Sequence, residues 1–201
     1  MLFKQLVGNN RPLYAYIYRM KRLFCLLFAS LLLSGCLEVP QSEYAKVHAF
    51  LRLSPVSAVP PLFQALNSPG LFCTISREPS HYLIRSADGK EAALSVTALE
   101  AYNRPEMIAG FIVGTSDTPD LNGALLPVAY DLACPNCYMK DDFIERQLVF
   151  QNRLTMHCTR CNRSYSLRNG GIVVAGEAGL KLFKYRIQGY SRASDVLIIN
   201  N

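Results

Sequence analysis

The sequence predicts an all-β protein, and two observations carry the prediction. Short runs rich in Val, Ile, Tyr and Phe recur along the 201 residues, and Gly, Pro, Asn and Asp separate them. Residues 165–176, YSLRNGGIVVAG, also have the pattern of a tight hairpin, because Asn169-Gly170-Gly171 supplies the positive φ angles that such a turn needs. Many short strands joined by turns are typical of a β-sandwich or barrel.

Residues 1–35 are predicted to be a lipoprotein signal peptide, separate from the fold. Met20-Lys21-Arg22 precedes an apolar run over residues 23–33, which is too short to cross a bilayer, since about 20 residues are needed. The run ends in Leu33-Ser34-Gly35-Cys36, which resembles a bacterial lipobox, so Cys36 is the predicted lipid-attachment site. Because Met20 starts a compact signal by itself, we expect it to be the true start of the protein.

The basic character of the chain belongs to its first 35 residues. Five of the 21 Lys and Arg residues precede Cys36 and none of the 15 Asp and Glu residues does, which leaves 16 basic against 15 acidic residues after the signal. The net charge there is +1, so the composition indicates no nucleic-acid partner. The predicted partner is the membrane, through the lipid anchor, and the sequence identifies no protein partner.

After the signal, residues 36–60 are mixed and interrupted by proline, which predicts a tether, and the domain is expected over residues 61–201. Asn67-Ser68-Pro69-Gly70 predicts a turn between two apolar runs. SVTALEAYN, residues 95–103, is the one candidate for a short helix. The strands expected beyond that turn are HYLIR, AALSV, IAGFIVG, LLPVAYDLA, RQLVFQNRLTM, SYSL, IVVAG, LFKYRIQGY and DVLII.

Four cysteines form two CxxC pairs: Cys134 and Cys137 in CPNC, and Cys158 and Cys161 in CTRC, with 20 residues between the pairs. Two thiolates on a tight turn face one point, and two such turns give four sulfurs in a tetrahedral array, as in closed zinc sites. Ligand softness and geometry favour structural zinc, with a two-iron two-sulfur cluster as the alternative. Metal-free cysteines, including disulfides, stay open because a lipobox sends the domain out of the cytosol.

The residues around the pairs follow an ordered pattern, with PVAYDLACPNC at the first pair and HCTRCNRSYSLRNGGIVVAGEAGLKLFKYRI at the second. Over roughly residues 123–190 this pattern resembles Rieske-type ferredoxin domains, especially the Rieske-like lipoproteins of Bacteroidetes. The resemblance implies an all-β, Rieske-like β-sandwich with a small zinc-ribbon-like metal-binding subdomain at about residues 130–180. The matching positions after the first loop are Cys158, Cys161, Tyr165, Gly170, Gly176, Ala178, Leu182, Tyr185 and Ile187.

The predicted ligands depart from that family. Rieske loops carry Cys-x-His and Cys-x-x-His, whereas Asn136 or Cys137 and then Cys161 stand at the histidine positions here. Glu177 stands where the family's shielding loop has proline. His157 precedes Cys158 on a predicted strand, so its side chain is expected on the opposite face. Four thiolates without imidazole therefore replace the standard Rieske ligand set.

The predicted function is a membrane-anchored lipoprotein of the bacterial cell envelope that faces the periplasm or the cell surface. Its four cysteines are expected to hold zinc in a non-enzymatic binding or scaffold module. The alternative is an electron-transfer protein with a two-iron two-sulfur cluster on the same residues, as a carrier or as a subunit of an oxidoreductase. A thiol-disulfide protein is a third class, disfavoured because redox CxxC pairs open a helix, whereas these are expected in β surroundings.

Two further side-chain expectations concern the core. Cys73 lies in an apolar segment without a partner in the sequence and is expected to be a buried thiol. Tyr138 and Tyr165 lie near the two cysteine pairs and are expected to pack over the sulfurs rather than to react.

Overall fold

The structure, a computed structural model, describes residues 19–21, 44–96, 105–120, 122–141, 143–191 and 193–201. It is mostly β, which confirms the all-β prediction. The chain divides into two units, Met1–Gln41 and Ser42–Asn201, and the sheets lie in the second. The strands are β1 (Phe50–Leu53), β2 (Leu71–Arg77), β3 (His81–Ser86), β4 (Glu91–Ser95), β5 (Phe111–Thr115), β6 (Pro127–Asp131), β7 (Val149–Asn152), β8 (Thr155–His157), β9 (Ser164–Ser166), β10 (Ile172–Ala175), β11 (Lys184–Ser191) and β12 (Val196–Asn200), and the helices are α1 (Pro60–Asn67) and α2 (Pro135–Lys140).

Two antiparallel sheets organise the domain. The large sheet has eight strands in the order β1-β12-β11-β6-β5-β2-β3-β4 and is curled, and the small sheet has four in the order β10-β9-β8-β7. The predicted hairpin at Asn169-Gly170-Gly171 joins β9 to β10, and both glycines have positive φ angles. A Cβ on Gly171 would lie 2.7 Å from the Cβ of Leu182, so this turn needs glycine for space as well as for backbone angle.

Strand β5 is buried on both faces because each face of the large sheet covers a separate core. Phe111 and Val113 point into a first core with helix α1, and Ile112 points into a second core with the small sheet. This is why β5 reads as a continuous apolar run rather than as an alternation of apolar and polar residues. Helix α1 closes the first core with Leu62, Ala65 and Leu66.

The small sheet and both cysteine pairs belong to one excursion of the chain, the lobe of residues 132–182. The chain leaves the large sheet at the end of β6 and returns in β11, which pairs directly with β6 through Lys184 opposite Tyr130 and Tyr185 opposite Ala129. The backbone N–H of Asp131 donates to the carbonyl of Phe183 at 2.9 Å. The two ends of the lobe are therefore adjacent in the large sheet.

Two sequence predictions need correction. The predicted tether, residues 36–60, contains β1, which pairs with β12 at an edge of the large sheet, because Leu51 and Leu53 alternate into the first core. The apolar run from Pro60, read as non-helical, forms α1, since the two prolines lie at the first helical positions, where a missing N–H costs nothing.

Several predicted features fall outside the described residues. These are almost all of the signal peptide, Cys36, and residues 97–103 of the candidate helix SVTALEAYN. Within the described ranges, no helix has the length and apolar character that a membrane span needs.

Candidate metal centre

The first cysteine pair opens a short helix at the start of the lobe. Cys134 has an extended backbone and caps α2, whose first residue is Pro135, and the carbonyl of Cys134 accepts from the N–H of Tyr138 at 2.9 Å. The N–H of Cys134 donates to the carbonyl of Arg146 at 2.7 Å, which fixes the pair against the chain that leads into β7. One turn of helix brings Cys137 back beside Cys134, and its N–H donates to the sulfur of Cys134.

The second pair lies on a tight turn between β8 and β9. The carbonyl of Cys158 accepts from the N–H of Asn162, and the N–H of Cys158 donates to the carbonyl of Arg163, both at 2.9 Å. Asn162 adopts a φ of 57°, an angle that asparagine tolerates better than most residues. The N–H of Arg163 donates to the sulfur of Cys161, as the N–H of Cys137 does to Cys134 in the first turn.

The two turns bring the four predicted ligands together. The Sγ atoms of Cys134, Cys137, Cys158 and Cys161 all lie within 4.8 Å of one another. The closest approaches cross from one pair to the other, at 3.6 Å between Cys134 and Cys161 and 3.7 Å between Cys137 and Cys158. Tetrahedral zinc with Zn–S near 2.3 Å places its sulfurs about 3.8 Å apart. The four cysteines could therefore hold one metal ion.

The four cysteines differ in solvent exposure and in the pKa of their thiols. Cys134, Cys137 and Cys158 are buried, and only Cys161 among the four is partly open to solvent. Burial raises the pKa of Cys134 to about 11 and also raises the pKa of Cys137. Burial acts in the same direction on Cys161, but the Arg163 side chain and backbone N–H outweigh it and lower the pKa of that thiol to about 7.

A hydrogen-bond network covers the sulfurs on the side of residues 176–180. The hydroxyl of Tyr165 lies 3.2 Å from the sulfur of Cys134 and accepts from the amide nitrogen of Asn136 at 2.9 Å. Asn136 also makes a two-way contact with Leu180: its Nδ2 donates to the carbonyl at 3.0 Å, and its Oδ1 accepts from the N–H at 2.9 Å. Residues 176–180, which we call the cover loop, are thus fixed to the first cysteine turn.

Arg163 connects the same loop to the second cysteine turn. Its Nε donates to the carbonyl of Glu177 at 2.8 Å and its guanidinium also bonds the Glu177 carboxylate at 2.6 Å. The side chain is only 11% exposed, and its charge faces the Glu177 carboxylate and the sulfur of Cys161. Its pKa is raised, chiefly by that sulfur.

Asp131 lies under the first turn as a fully buried carboxylate. It accepts from the backbone N–H groups of Ala133, Ile108 and Ala109 at 2.7, 3.2 and 3.3 Å, and from the hydroxyl of Tyr185 at 3.0 Å. Burial raises the pKa of this carboxyl to about 6, although these four donors lower it. Asp131 therefore ties the large sheet to the segment that enters CPNC.

The expected β surroundings are wrong for the first pair, because CPNC opens helix α2. The thiol-disulfide class loses support on another ground, since the first cysteine of a redox pair has a lowered pKa and is exposed, whereas Cys134 is buried with a raised pKa. His157 bonds Ser164 at 3.2 Å and is no part of the sulfur cluster, as expected. Cys73 is buried in the first core, also as expected.

Sequence reasoning missed the roles of Arg163 and Asp131. Both side chains act through tertiary contacts, with the cover loop in one case and with backbone N–H groups 22 and 23 residues away in the other. The one local signal was the position of Arg163 two residues after Cys161, where a cation can reach the last sulfur of a turn.

Comparisons of the chain with protein-family models, with curated proteins and with solved structures gave no match. What the protein does is therefore inferred from its own residues.

Proposed function

We propose that the four cysteines hold one zinc ion as a closed structural site in a lipid-anchored, non-enzymatic binding or scaffold module. The observation that carries the proposal is the compact sulfur cluster, with all four Sγ atoms within 4.8 Å and the closest pairs at 3.6 and 3.7 Å. Four protein ligands leave no open position on the metal, which is the arrangement of structural rather than catalytic zinc.

The ion would supply a cross-link in addition to the hydrogen bonds that already join parts of the lobe. Strands β8 and β9 have only three residues each, and small sheets with so few residues are marginal on their own. The proposed site joins the turn between these strands to the first cysteine turn, whose backbone is bonded to Arg146. Zinc binding would thus stabilise the fold of the lobe, as in other small zinc modules.

The same cysteines could be imagined to hold a two-iron two-sulfur cluster. Such a cluster divides its cysteines into one pair per iron, with a longer gap between the pairs. A set of sulfurs that all lie within 4.8 Å favours a single ion over a divided cluster. Zinc is favoured over other single ions because it prefers tetrahedral thiolate sites.

Purification of the full-length chain without oxygen, followed by metal analysis and a visible spectrum, tests the proposal. We expect one zinc per chain and no visible absorption. Iron with acid-labile sulfide would replace the proposal with the electron-transfer alternative, and a metal-free chain with disulfides would reject it. A Cys134→Ser variant should lose the metal, whereas Cys73→Ala, which removes a buried thiol outside the cluster, should retain it.

Lipid attachment at Cys36 and the Rieske-like character are part of the same proposal. The first rests on the lipobox-like LSGC at residues 33–36, and the second on the order of ligand loops and strands around the two cysteine pairs. Cells grown with an alkyne fatty acid should label the wild-type chain and leave Cys36→Ala unlabelled. Equal labelling of both chains would reject Cys36 as the attachment site.

A further inference from the structure

The sulfur cluster is asymmetric in a way that a purely structural site does not require. Three of its cysteines are buried, and the fourth, Cys161, is partly exposed on the outer side of the second turn. An exposed thiolate is open to electrophiles and oxidants, whereas a buried sulfur is shielded from reagents in solvent. Any reagent that reaches the cluster from solvent therefore meets the sulfur of Cys161 first.

A fixed cation stands beside that sulfur. The Arg163 guanidinium lies beside the sulfur of Cys161, and the Glu177 carbonyl and carboxylate hold it in place at 2.8 and 2.6 Å. A positive charge at this position stabilises negative charge that develops on a group leaving from the sulfur. It also draws electron density from a metal-bound thiolate, which weakens that one metal–sulfur bond.

A second sulfur is in position to react with an oxidised Cys161. The Sγ of Cys134 lies 3.6 Å away, so the two sulfurs need to approach by roughly 1.5 Å to reach the disulfide length of about 2.05 Å. Cys137 and Cys158 are comparably close, at 3.7 Å, but both are buried. The pair that contains the partly exposed sulfur of Cys161 therefore crosses from one cysteine turn to the other.

We propose that Cys161 is a peroxide-sensitive modification site, and that its oxidation forms a disulfide with Cys134 and releases the metal. The Cys161 thiolate attacks one oxygen of hydrogen peroxide, the O–O bond breaks, and a sulfenic acid and a hydroxide ion result. The Cys134 thiolate then attacks the sulfenic sulfur, the S–S bond forms, and a second hydroxide leaves. Two thiolates lose two electrons to the peroxide, and the ion keeps only two of its four ligands.

This inference rests on the proposed function for the ion that is released, but the disulfide can be tested separately. Full-length chain loaded with zinc is treated with about one equivalent of hydrogen peroxide, zinc release is followed with a coloured chelator, and disulfides are mapped by mass spectrometry. We expect release to accompany a Cys134–Cys161 disulfide, with a sulfenic-acid trap added at Cys161. Disulfides within CPNC or CTRC, or oxidation without release, would overturn the inference.

A chain purified without metal would reject the proposed function, and the disulfide map of that chain would still decide between Cys134–Cys161 and the other pairings. Cys73 serves as an internal control because it is buried outside the cluster, and its oxidation would report unfolding instead.

A matched pair of variants tests the role of the cation. Arg163→Gln removes the guanidinium beside Cys161, whereas Arg160→Gln removes an exposed charge from the same turn. We expect peroxide-driven zinc release to slow about tenfold in Arg163→Gln and to stay at the wild-type rate in Arg160→Gln, a difference that one stabilised charge accounts for. Equal rates in the two variants would remove Arg163 from the reaction.

Discussion

At the scale of single residues, buried polar groups hold the cysteine turns in place. Tyr165 contacts the sulfur of Cys134, and Asn136 bonds both the Tyr165 hydroxyl and the backbone of Leu180. Asp131 accepts hydrogen bonds from four donors next to this network. Each group is buried or half-buried and each has its partners, so removing one leaves others unsatisfied. Such positions are where a small substitution has a measurable effect.

Asp131 predicts a pH dependence of stability. Its pKa is raised by burial to about 6, so the folded state binds the proton more tightly than the unfolded state. The stability contributed by protonation is fully present below about pH 4 and is lost as the pH rises through 6, by about 2 to 3 kcal/mol. Denaturant unfolding of the wild type and of Asp131→Asn at pH 4 to 7 should show this slope only in the wild type.

The quantity to compare is the difference in free energy of unfolding between the wild type and Asp131→Asn at each pH. Acid weakens metal binding in both chains, so that effect cancels in the difference. Asp131→Asn is expected to be less stable at every pH, since an amide cannot accept from all four donors. Parallel profiles would show that Asp131 does not titrate in this range.

Tyr165→Phe predicts weaker metal binding. The substitution removes a hydroxyl that lies 3.2 Å from the sulfur of Cys134 and that accepts from Asn136. A hydrogen bond to a charged sulfur contributes about 1 to 2 kcal/mol, so affinity measured by chelator competition should fall roughly five- to thirtyfold. Tyr190→Phe is the matched control, because its hydroxyl also accepts from an asparagine, Asn67, but in the large sheet. Equal losses in both variants would contradict a specific role for Tyr165.

At the scale of elements, the cover loop and the two cysteine turns form one unit. Asn136 bonds the loop from the first turn and Arg163 bonds it from the second, so the loop position depends on both. Gly179 lies where the loop passes Asn136, and a Cβ there would stand 2.2 Å from the Asn136 Oδ1 atom. Glycine is required at this position by the close approach and not by its φ angle.

Gly179→Ala should therefore loosen the cover loop. The new methyl group displaces Asn136 and breaks its bonds to Leu180, at an expected cost of about 1 to 3 kcal/mol in the free energy of unfolding. Metal loss to a chelator should accelerate, as measured by absorbance. Gly189→Ala is the control, since a Cβ at Gly189 meets only Ile198 Cδ1 at 3.9 Å. An unchanged rate in Gly179→Ala would mean that the loop does not limit access to the sulfurs.

The same elements explain which features could be predicted from the sequence. Most of the strands and the Asn169-Gly170-Gly171 turn follow from local composition, although RQLVFQNRLTM divides into β7 and β8. The four cysteines follow from their spacing. Helix α1 was missed because its buried residues stand within a continuous apolar run, which hides their helical spacing and resembles a strand. Strand β1 was missed because the prolines and polar residues on either side of it look like a linker, and it forms a strand only by pairing with β12, far along the chain.

At the scale of the whole molecule, removal of the metal is expected to affect the two cores differently. The first core contains none of the four cysteines, whereas Cys134, Cys137 and Cys158 all belong to the second. The described part of the chain thus keeps one complete core on the far face of the large sheet when the sulfur cluster is empty.

Chelation of the metal should therefore open the lobe of residues 132–182 and leave the large sheet folded. Amide hydrogen exchange should rise in β7–β10 and stay low in β2, β3 and β5, because hydrogen bonds fail first where tertiary support is lost. Cys73→Ala treated in the same way should give the same pattern. Simultaneous loss of protection in both sheets would show instead that the ion supports the entire domain.

The pairing of β6 with β11 has a consequence for how this protein could be rebuilt. Since these neighbours flank the lobe and their backbones are bonded through Asp131 and Phe183, the lobe is topologically the loop of one very long hairpin. A short turn in place of residues 132–182 would leave the strand order of the large sheet unchanged. The metal-binding part is thus a cassette with adjacent ends, a geometry that suits transplantation onto another antiparallel strand pair.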